Sequence, residues 1–269
     1  MNNSFDFAFV GMSHLGLNYL AATSEKGFKT IGIDNNRNII KRLKNFDTNY
    51  VEPNLRKTLK KNKKRIYFSA NFSDLQNSKI IFISQDVKTD SKGKSNIKNI
   101  YNLVKQTIKF LSKKSVLVIL SQIPPGFTRK INFDHSRLYY QVETLILGNS
   151  LKRALKPERI IIGCKNKKTT ISNLFYNYLK KFNCPIFKMK YESAELTKIS
   201  INLFLASSVT TANILSRACE KISADWYEIL PAIKLDKRIG KYAYLKPGLG
   251  ISGGNVERDI YAIRSILKN

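Results

Sequence analysis

An apolar run near the start of the chain leads directly into a turn that contains two glycines. Residues 5–16 read Phe5-Asp6-Phe7-Ala8-Phe9-Val10-Gly11-Met12-Ser13-His14-Leu15-Gly16. Phe5–Val10 has the composition of a buried strand, and the next residues fit the dinucleotide-binding pattern G-x-G-x-x-G, with Ser13 in the second glycine position. In such a turn the second glycine lets the backbone approach a pyrophosphate. We therefore expect the Cβ of Ser13 to push a dinucleotide away or tilt it.

Apolar runs and amphipathic stretches alternate through the first half of the chain. Leu15, Tyr19 and Ala22 recur at helical spacing, which predicts a helix over 14–26. Further strands are predicted at Lys29–Ile33, Ile66–Ser69, Ile80–Ser84, Val116–Ser121, Arg137–Val142 and Arg159–Gly163, and further helices at Asn38–Lys44 and Ile97–Leu111. This alternation is typical of an α/β fold, here a Rossmann-like doubly wound parallel sheet.

An acidic residue follows the second predicted strand. Asp34 lies 23 residues after Gly11, where the ribose-binding acid of a dinucleotide site belongs. A carboxylate there accepts from the adenosine ribose hydroxyls and repels the additional phosphate of NADP, so NAD is the predicted cofactor. A Rossmann-like fold that binds no dinucleotide is the alternative that Ser13 leaves open.

The pattern changes in the second half of the chain. Glu192–Ile222 contains no glycine or proline and carries apolar residues at helical spacing, which predicts one long helix. A shorter helix is predicted at Asp225–Ile233. We predict two domains: a Rossmann-like domain over residues 1–190 and a small helical domain over residues 191–269.

Composition limits the class of protein. Hydrophobic residues make up 43% of the chain, a globular composition. The first residues lack the basic and apolar regions of a signal peptide, and no apolar run approaches the about 20 residues that a membrane span needs. The three cysteines, Cys164, Cys184 and Cys219, have no metal or disulfide spacing. A cytoplasmic protein with reduced thiols, without a membrane span or a metal site, is expected.

The chain is strongly basic, with a formal net charge of +28. Such a charge attracts nucleic acid, anionic membranes and phosphorylated ligands. The densest cluster lies between Arg56 and Arg65, and a solvated helix face is the favoured interpretation, with a binding surface as the alternative. Aromatic residues do not interleave with this cluster as they do on base-stacking surfaces, so nucleic acid is not the expected partner.

Several segments match the motifs of one enzyme family. They are Glu52-Pro53-x-Leu55, Ser121–Thr128, Tyr140–Gly148, Pro157–Gly163, Ser193–Ala206, Asp236-Lys-Arg238-Ile-Gly240 and Pro247–Asp259. The chain resembles the UDP-glucose/GDP-mannose dehydrogenase family, which reads S-A-E-L-x-K-x-x-x-N-x-F-L-A near Ser193 and ends its active-site signature with P-G-x-G-F-G-G-S-C-F-P-K-D. This resemblance implies NAD-dependent oxidation of a nucleotide sugar, a polysaccharide precursor.

The resemblance implies roles for particular residues. The cofactor would contact Gly11, Ser13, Leu15, Gly16, Asp34 and Gln122. Lys198 and Asn202 lie four apart, so they share a helix face, and in the family they point at the reacting carbon and its water. Glu143 and Asp259 match a candidate general base and a carboxylate that holds water. Arg238, Gly250, Gly253 and Gly254 would contact the substrate.

The chain departs from the family pattern at the nucleophile. Asn255 stands where the family has its cysteine, and a carboxamide is no nucleophile at neutral pH. Gln122 and Leu147 also replace a threonine and a glutamate. The family's cysteine traps the aldehyde before a second hydride leaves, so we expect at most the first oxidation here. Three hypotheses stay open: a divergent dehydrogenase, an inactive relative that binds a dinucleotide or a partner, and a basic protein binding nucleic acid or anionic glycan.

The resemblance also implies an assembly. In the family the long helix leads into a central helical domain that carries the dimer contact, so a homodimer through this helix is expected. Family members continue with a third domain that holds the nucleotide of the substrate, and we expect this domain to be absent here.

Overall fold

The computed structural model describes residues 4–87, 89–90, 95–248 and 254–268. The chain divides into two compact units. The first comprises Met1–Lys88 and Asn96–Lys198, and the second comprises Thr89–Ser95 and Ile199–Asn269. The predicted domain boundary at 190/191 stays a prediction.

The first unit is built on one eight-stranded sheet. Its strands are β1 (Phe5–Val10), β2 (Thr30–Ile33), β3 (Ile66–Ser69), β4 (Ser78–Ile83), β5 (Val116–Ile119), β6 (Leu138–Gln141), β7 (Ile160–Cys164) and β8 (Ile186–Lys190). Their spatial order is β3-β2-β1-β4-β5-β6-β7-β8. The chain builds outward from β1 to β3 and then returns to β4 on the other side, which confirms the predicted doubly wound Rossmann-like fold.

Helices flank this sheet. They are α1 (His14–Glu25), α2 (Arg37–Lys44), α3 (Leu55–Lys61), α4 (Ile97–Ile108), α5 (Ser150–Leu155) and α6 (Asn173–Lys180), with short 3₁₀ helices at Phe72–Asn77 and Thr128–Lys130. In α3, Leu55 and Leu59 are buried while the basic residues face outward. The helix carrying the basic cluster is therefore amphipathic, with its apolar side in the core.

One pairing in the sheet departs from the parallel arrangement. β6 and β7 run antiparallel, with Tyr140 opposite Gly163. The connection between them stays near the end of the sheet where Glu52 accepts hydrogen bonds from the amides of Gly148 and Ser150. The connection contains one short helix, α5, of six residues. Antiparallel neighbours start and finish at the same end of a sheet, so they need no crossover helix along it.

Both faces of the sheet are buried. Phe7, Phe9 and Phe82 pack in one core cluster, and their strand neighbours Val10 and Ile81 pack in the other. Burial on two faces explains why these strands are continuous apolar runs instead of alternating patterns.

The second unit is helical. It contains residues 199–222 of α7 (Tyr191–Ile222), with α8 (Trp226–Leu235) and α9 (Gly254–Lys268). Ala212, Cys219 and Trp226 form its small core, and the Trp226 indole donates to the carbonyl of Leu245 at 3.1 Å. The predicted long helix and shorter helix are both present.

Among the described residues, α7 is the one helix long and apolar enough to cross a membrane by length and composition alone. This corrects the expectation that no apolar stretch approaches that length. Core helices of other proteins satisfy the same criterion, so α7 is weak evidence for a span.

Candidate active site

The glycines of the first turn are required by close packing. Gly11 has a φ of +97°, and a Cβ there would lie 2.7 Å from the Cβ of Gln85. A Cβ on Gly16 would lie 2.1 Å from the carbonyl oxygen of Gly11. Only glycine fits either position without a shift of the backbone, so the turn at the start of α1 has the form that a dinucleotide site needs.

Ser13 makes contacts that the sequence does not reveal. Its hydroxyl donates to the carbonyl of Ser84 at 3.0 Å and accepts from the amide of Asp86 at 2.9 Å. Ser13 precedes α1 as its N-cap residue, but its side chain makes no capping hydrogen bond to that helix. The hydroxyl therefore joins the turn to the end of β4.

Asp34 lies directly after β2 and contacts the same turn. Its Oδ2 accepts from the amide of Met12 at 2.8 Å, and its Oδ1 accepts from the amide of Asn36 at 2.8 Å. The side chain is half-buried. A carboxylate tied to the turn at this end of the sheet has the position expected of a ribose-binding acid.

A cavity of about 400 Å³ opens beside Asp34, between the ends of the strands and α4. Six amide side chains line it, together with Asp86: Asn35, Gln85, Asn96, Asn99, Asn102 and Gln106. Amides both donate and accept hydrogen bonds, so this wall suits a flat heterocycle with mixed donors and acceptors. The glycine turn, Asp34 and this cavity together fit a dinucleotide.

Glu52 anchors the loop that carries Glu143. Its carboxylate accepts from the amide of Gly148 at 2.8 Å, from the amide and hydroxyl of Ser150, and from His14 at 2.9 Å. Burial raises the pKa of this carboxyl, but these hydrogen bonds outweigh burial and hold the pKa below its usual value. Glu52 thus connects the start of α1 with the start of α5.

Two of the predicted catalytic residues form an ion pair within the first unit. Lys198 Nζ lies 2.9 Å from Glu143 Oε1, and their side chains are only 10% and 13% exposed. The second oxygen of Glu143 accepts from the amide of Leu145 at 3.0 Å. A carboxylate and an ammonium held together with little solvent form a unit that can accept a proton and stabilise a developing alkoxide.

A second pair of predicted residues meets within the second unit. Asn202 Nδ2 donates to Asp259 Oδ2 at 2.6 Å, and both residues are buried. Arg258 Nε lies 3.5 Å from the other oxygen of Asp259. Nη2 of Arg258 is buried and finds no hydrogen-bond partner among the described residues. A buried free donor beside a carboxylate and an amide is suited to hold an oxygen atom of a ligand.

The remaining predicted residues are more scattered. Gln122 is buried after β5, whereas Leu147 is 81% exposed. The Arg238 side chain is 89% exposed and binds Asp236 at 2.7 Å. Gly250 and Gly253 lie outside the described residues; Gly254 and Asn255 begin α9, and the side chain of Asn255 lies outside the description.

None of the three cysteines has the environment of an activated nucleophile. Cys164 is buried in β7, and burial raises the pKa of its thiol to about 11 although Lys188 opposes this. Burial also raises the pKa of Cys184. Cys219 packs in the core of the second unit. A thiol that is protonated at neutral pH cannot replace a catalytic thiolate.

Four polar residues near these groups have no role assigned from the sequence, although three of them lie in the motif segments. Glu195 in α7 is buried and accepts from the amides of Gly126 and Thr128, so it holds the turn after β5. Glu52, Asp86 and Arg258 are the others. Arg258 had a sequence signal, because it stands directly before Asp259 where the family motif has a lysine.

The fold and the turn define a dinucleotide-binding protein of the Rossmann class. The family model for the NAD-binding domain of the UDP-glucose/GDP-mannose dehydrogenase family matches residues 6–181. The model for the central domain of the same family matches residues 192–269. The chain therefore belongs to the UDP-glucose/GDP-mannose dehydrogenase family, whose members are NAD-dependent nucleotide-sugar dehydrogenases. The predicted family and cofactor class are confirmed.

Relatives of known name cover nearly all of this chain. UDP-glucose 6-dehydrogenase YwqF of Bacillus subtilis (strain 168) is 28% identical over 285 residues, which span 96% of this chain and 64% of the relative. UDP-glucose 6-dehydrogenase of Rickettsia bellii is 29% identical over 274 residues, 98% of this chain and 63% of the relative. The chain thus spans less than two thirds of the length of these relatives.

Solved structures show the same fold. A UDP-glucose dehydrogenase from the hyperthermophilic archaeon Pyrobaculum islandicum superposes with a TM-score of 0.87 at 23% identity. The match covers 99% of this chain and 65% of that protein.

Proposed function

We propose that this chain binds NAD through its first unit and oxidises a hydroxymethyl or hydroxyl group of a nucleotide sugar by one hydride transfer. The main support is the Lys198–Glu143 ion pair, 2.9 Å apart, in the same unit as the dinucleotide turn. A base and a cation in contact, with little solvent, provide what alcohol oxidation requires of the protein.

Each residue then has a defined task. Glu143 accepts the proton of the sugar hydroxyl, and Lys198 stabilises the oxygen as negative charge develops on it. Bound NAD supplies the chemistry of hydride acceptance. Asn202 and Asp259 hold a substrate hydroxyl or a water molecule, and Arg258 and Arg238 bind anionic oxygens of the nucleotide.

The oxidation is expected to stop at the aldehyde. A further oxidation by the family route needs a cysteine adduct, and Asn255 occupies that position in the sequence. The cysteines at 164, 184 and 219 lie in or near packed cores, as their burial indicates. The products for each sugar would be one NADH, one proton and one carbonyl compound, which is an aldehyde when a hydroxymethyl group is oxidised.

Product analysis tests this proposal directly. The protein is titrated with NAD and then incubated with UDP- and GDP-sugars while NADH is measured and the product is weighed by mass spectrometry. We expect at most one NADH per sugar and an aldehyde, with no NADH from Lys198→Ala. A nucleotide uronate formed with two NADH per sugar would overturn it. Asn255→Cys alone should not restore the second oxidation fully, because Gln122 and Leu147 still differ from the family pattern.

A second candidate function is that of an inactive relative that binds a dinucleotide or a partner protein. The asparagine at position 255 and the exposed leucine at position 147 favour it. Binding of NAD without NADH formation on any UDP- or GDP-sugar would support this candidate.

The basic-cluster hypothesis has less support. The cluster is exposed on α3 and the turn after it, but Arg56 pairs with Asp47 at 2.6 Å and Lys61 pairs with Glu25 at 2.5 Å. Carboxylates of the chain therefore already neutralise part of the positive charge of this cluster. We therefore propose neither nucleic acid nor anionic glycan as the partner.

We further propose that α7 carries a homodimer contact instead of a membrane span, and that the protein works in the cytoplasm. Large apolar side chains on α7 face outward: Phe204, Ile214 and Ile222 are 77%, 62% and 74% exposed. An exposed apolar face of this kind is stabilised by burial against another copy.

A further inference from the structure

The α1 N-terminus, where a dinucleotide fold binds pyrophosphate, faces a carboxylate of the chain itself. The amide of Asp86, just after β4, donates to the hydroxyl of Ser13, which precedes the helix. The Asp86 side chain also lines the cavity that opens beside this turn. First-turn amides have no partner within their helix, so they attract an anion.

Asp86 is exposed on the wall of the amide-lined cavity rather than buried in the core. Protein nevertheless surrounds this wall, and the resulting desolvation raises the pKa of Asp86, although Ser13, His14 and Leu15 each lower it. Glu143 adds to the rise. The carboxylate is therefore accessible to a ligand but partly enclosed by protein. Partial enclosure strengthens the electrostatic interaction between its charge and a ligand.

We propose that Asp86 is an affinity-determining residue that stands beside the anion-binding end of α1 and disfavours the pyrophosphate of a dinucleotide. This inference rests on the proposed binding of NAD by the first unit. Two negative charges near one helix end repel each other, and the partly enclosed position of Asp86 strengthens that repulsion. A pyrophosphate at this helix end must therefore bind close to the carboxylate, and the repulsion between them lowers the affinity.

Neutralisation of Asp86 tests the inference. Asp86→Asn keeps the size and a hydrogen-bond acceptor but removes the charge, so NAD should bind about tenfold more tightly at pH 7 and low salt. Affinities for NAD and for adenosine are measured by isothermal titration calorimetry. Adenosine has no pyrophosphate, so its affinity should not change.

A matched control separates local from overall charge. Asp74→Asn removes the same charge from the 3₁₀ helix that leads into β4, at the other end of this strand. In a chain with a net charge of +28, loss of any carboxylate strengthens the general attraction for anions. The Asp74 variant should leave the NAD affinity unchanged within about twofold.

The unmodified protein offers a second measurement that needs no variant. Asp86 faces Ser13 and His14 of the α1 end, Glu143 after β6 and Tyr50 after α2, while α4 contributes amides. As the pH falls toward the raised pKa of Asp86, its protonation should tighten NAD binding. This gain should be smaller in Asp86→Asn, which has no carboxyl to protonate at this position.

The outcomes are distinct. Tighter NAD binding by Asp86→Asn, with unchanged adenosine binding, supports the inference. Unchanged or weaker NAD binding overturns it, while leaving NAD binding by the unmodified protein intact. Equal tightening for adenosine also overturns it, because the charge would then act elsewhere. Failure of both proteins to bind NAD overturns the proposed function together with this inference. Circular dichroism verifies that the variant folds, and Asp86→Ser replaces it if it does not.

Discussion

Ser13 has a backbone conformation that any residue can adopt, and its hydroxyl both donates and accepts a hydrogen bond. Its φ of −75° and ψ of −177° require no glycine. Its hydroxyl bridges Ser84 and Asp86. A substitution here therefore changes two things at once, the space near a cofactor and the connection between the turn and β4.

Two substitutions of Ser13 separate these effects. Ser13→Ala and Ser13→Gly both lose the two hydrogen bonds and should lower the free energy of unfolding by about 1–2 kcal/mol. Only Ser13→Gly removes the Cβ, so it should bind NAD more tightly than Ser13→Ala. The measurements are thermal unfolding and NAD titration. Equal NAD affinities of the two variants would show that the Cβ does not crowd the cofactor.

Asp34 should decide between NAD and NADP. Its carboxylate repels the additional phosphate of NADP, so Asp34→Asn should narrow the preference for NAD by about tenfold. The asparagine keeps an oxygen that can accept from the amide of Met12, as Asp34 does at 2.8 Å. Dissociation constants for both cofactors provide the measurement, with Asp74→Asn as the control for loss of charge. Equal affinity of the unmodified protein for NAD and NADP would contradict this role.

At the scale of elements, Glu52 connects three segments that are distant in sequence. Asn149 precedes α5 but makes no side-chain capping hydrogen bond, and Glu52 instead accepts from the amides of Gly148 and Ser150. The same carboxylate binds His14 at the start of α1. The loop that bears Glu143 is thereby held from one end.

Loss of this carboxylate should destabilise the first unit. Glu52→Gln should lower the free energy of unfolding by about 1.5–3 kcal/mol at pH 7, because charge-assisted hydrogen bonds are lost. The pKa of Glu52 is lowered in the folded state, so its contribution is present above the pKa of the unfolded chain and is lost as the pH falls through the folded value. The difference between the two proteins should therefore shrink below about pH 4.

Glu158→Gln is the matched control for this prediction. Glu158 also has a lowered pKa, through a hydrogen bond from Arg153 and attraction to its charge, but its side chain is 62% exposed. Exposed pairs contribute little, so this variant should change the free energy of unfolding by less than about 1 kcal/mol. Urea unfolding across the pH range provides the comparison, and an equal loss in both variants would argue against a capping role for Glu52.

At the scale of the whole molecule, the outward face of α7 leads to a prediction about association. Phe204, Leu215 and Ile222 fall on one side of the helix by its periodicity, and all three are exposed. Burial of one such side chain contributes about 1.5–3 kcal/mol, so Phe204→Glu should weaken dimer formation at least about tenfold. Sedimentation velocity measures it.

Tyr227→Glu is the control for this prediction. Tyr227 is 59% exposed but lies on α8, outside the proposed contact. If both variants dissociate equally, the contact is not specific to α7. A monomeric unmodified protein at high concentration would contradict the homodimer altogether.

The local parts of the dinucleotide site could be predicted from sequence because they depend on short spacings. The glycines at 11 and 16 bend and pack one turn, and the acid at position 34 follows the next strand. Helical periodicity likewise identified α7, on which Lys198 and Asn202 lie four residues apart. Each of these features is set by neighbours within one or two elements.

Contacts between distant residues were decided only by the tertiary structure. The antiparallel β7, the four hydrogen bonds of Glu52 and the approach of Asp86 to the α1 N-terminus all join segments far apart in the chain. Asp86 and Ser13 are 73 residues apart, and no period or motif links them. The sequence by itself determined the sheet and its glycine turn because steric fit within a turn is local. Only folding determined which carboxylate faces that turn, since charges interact through space and not along the chain.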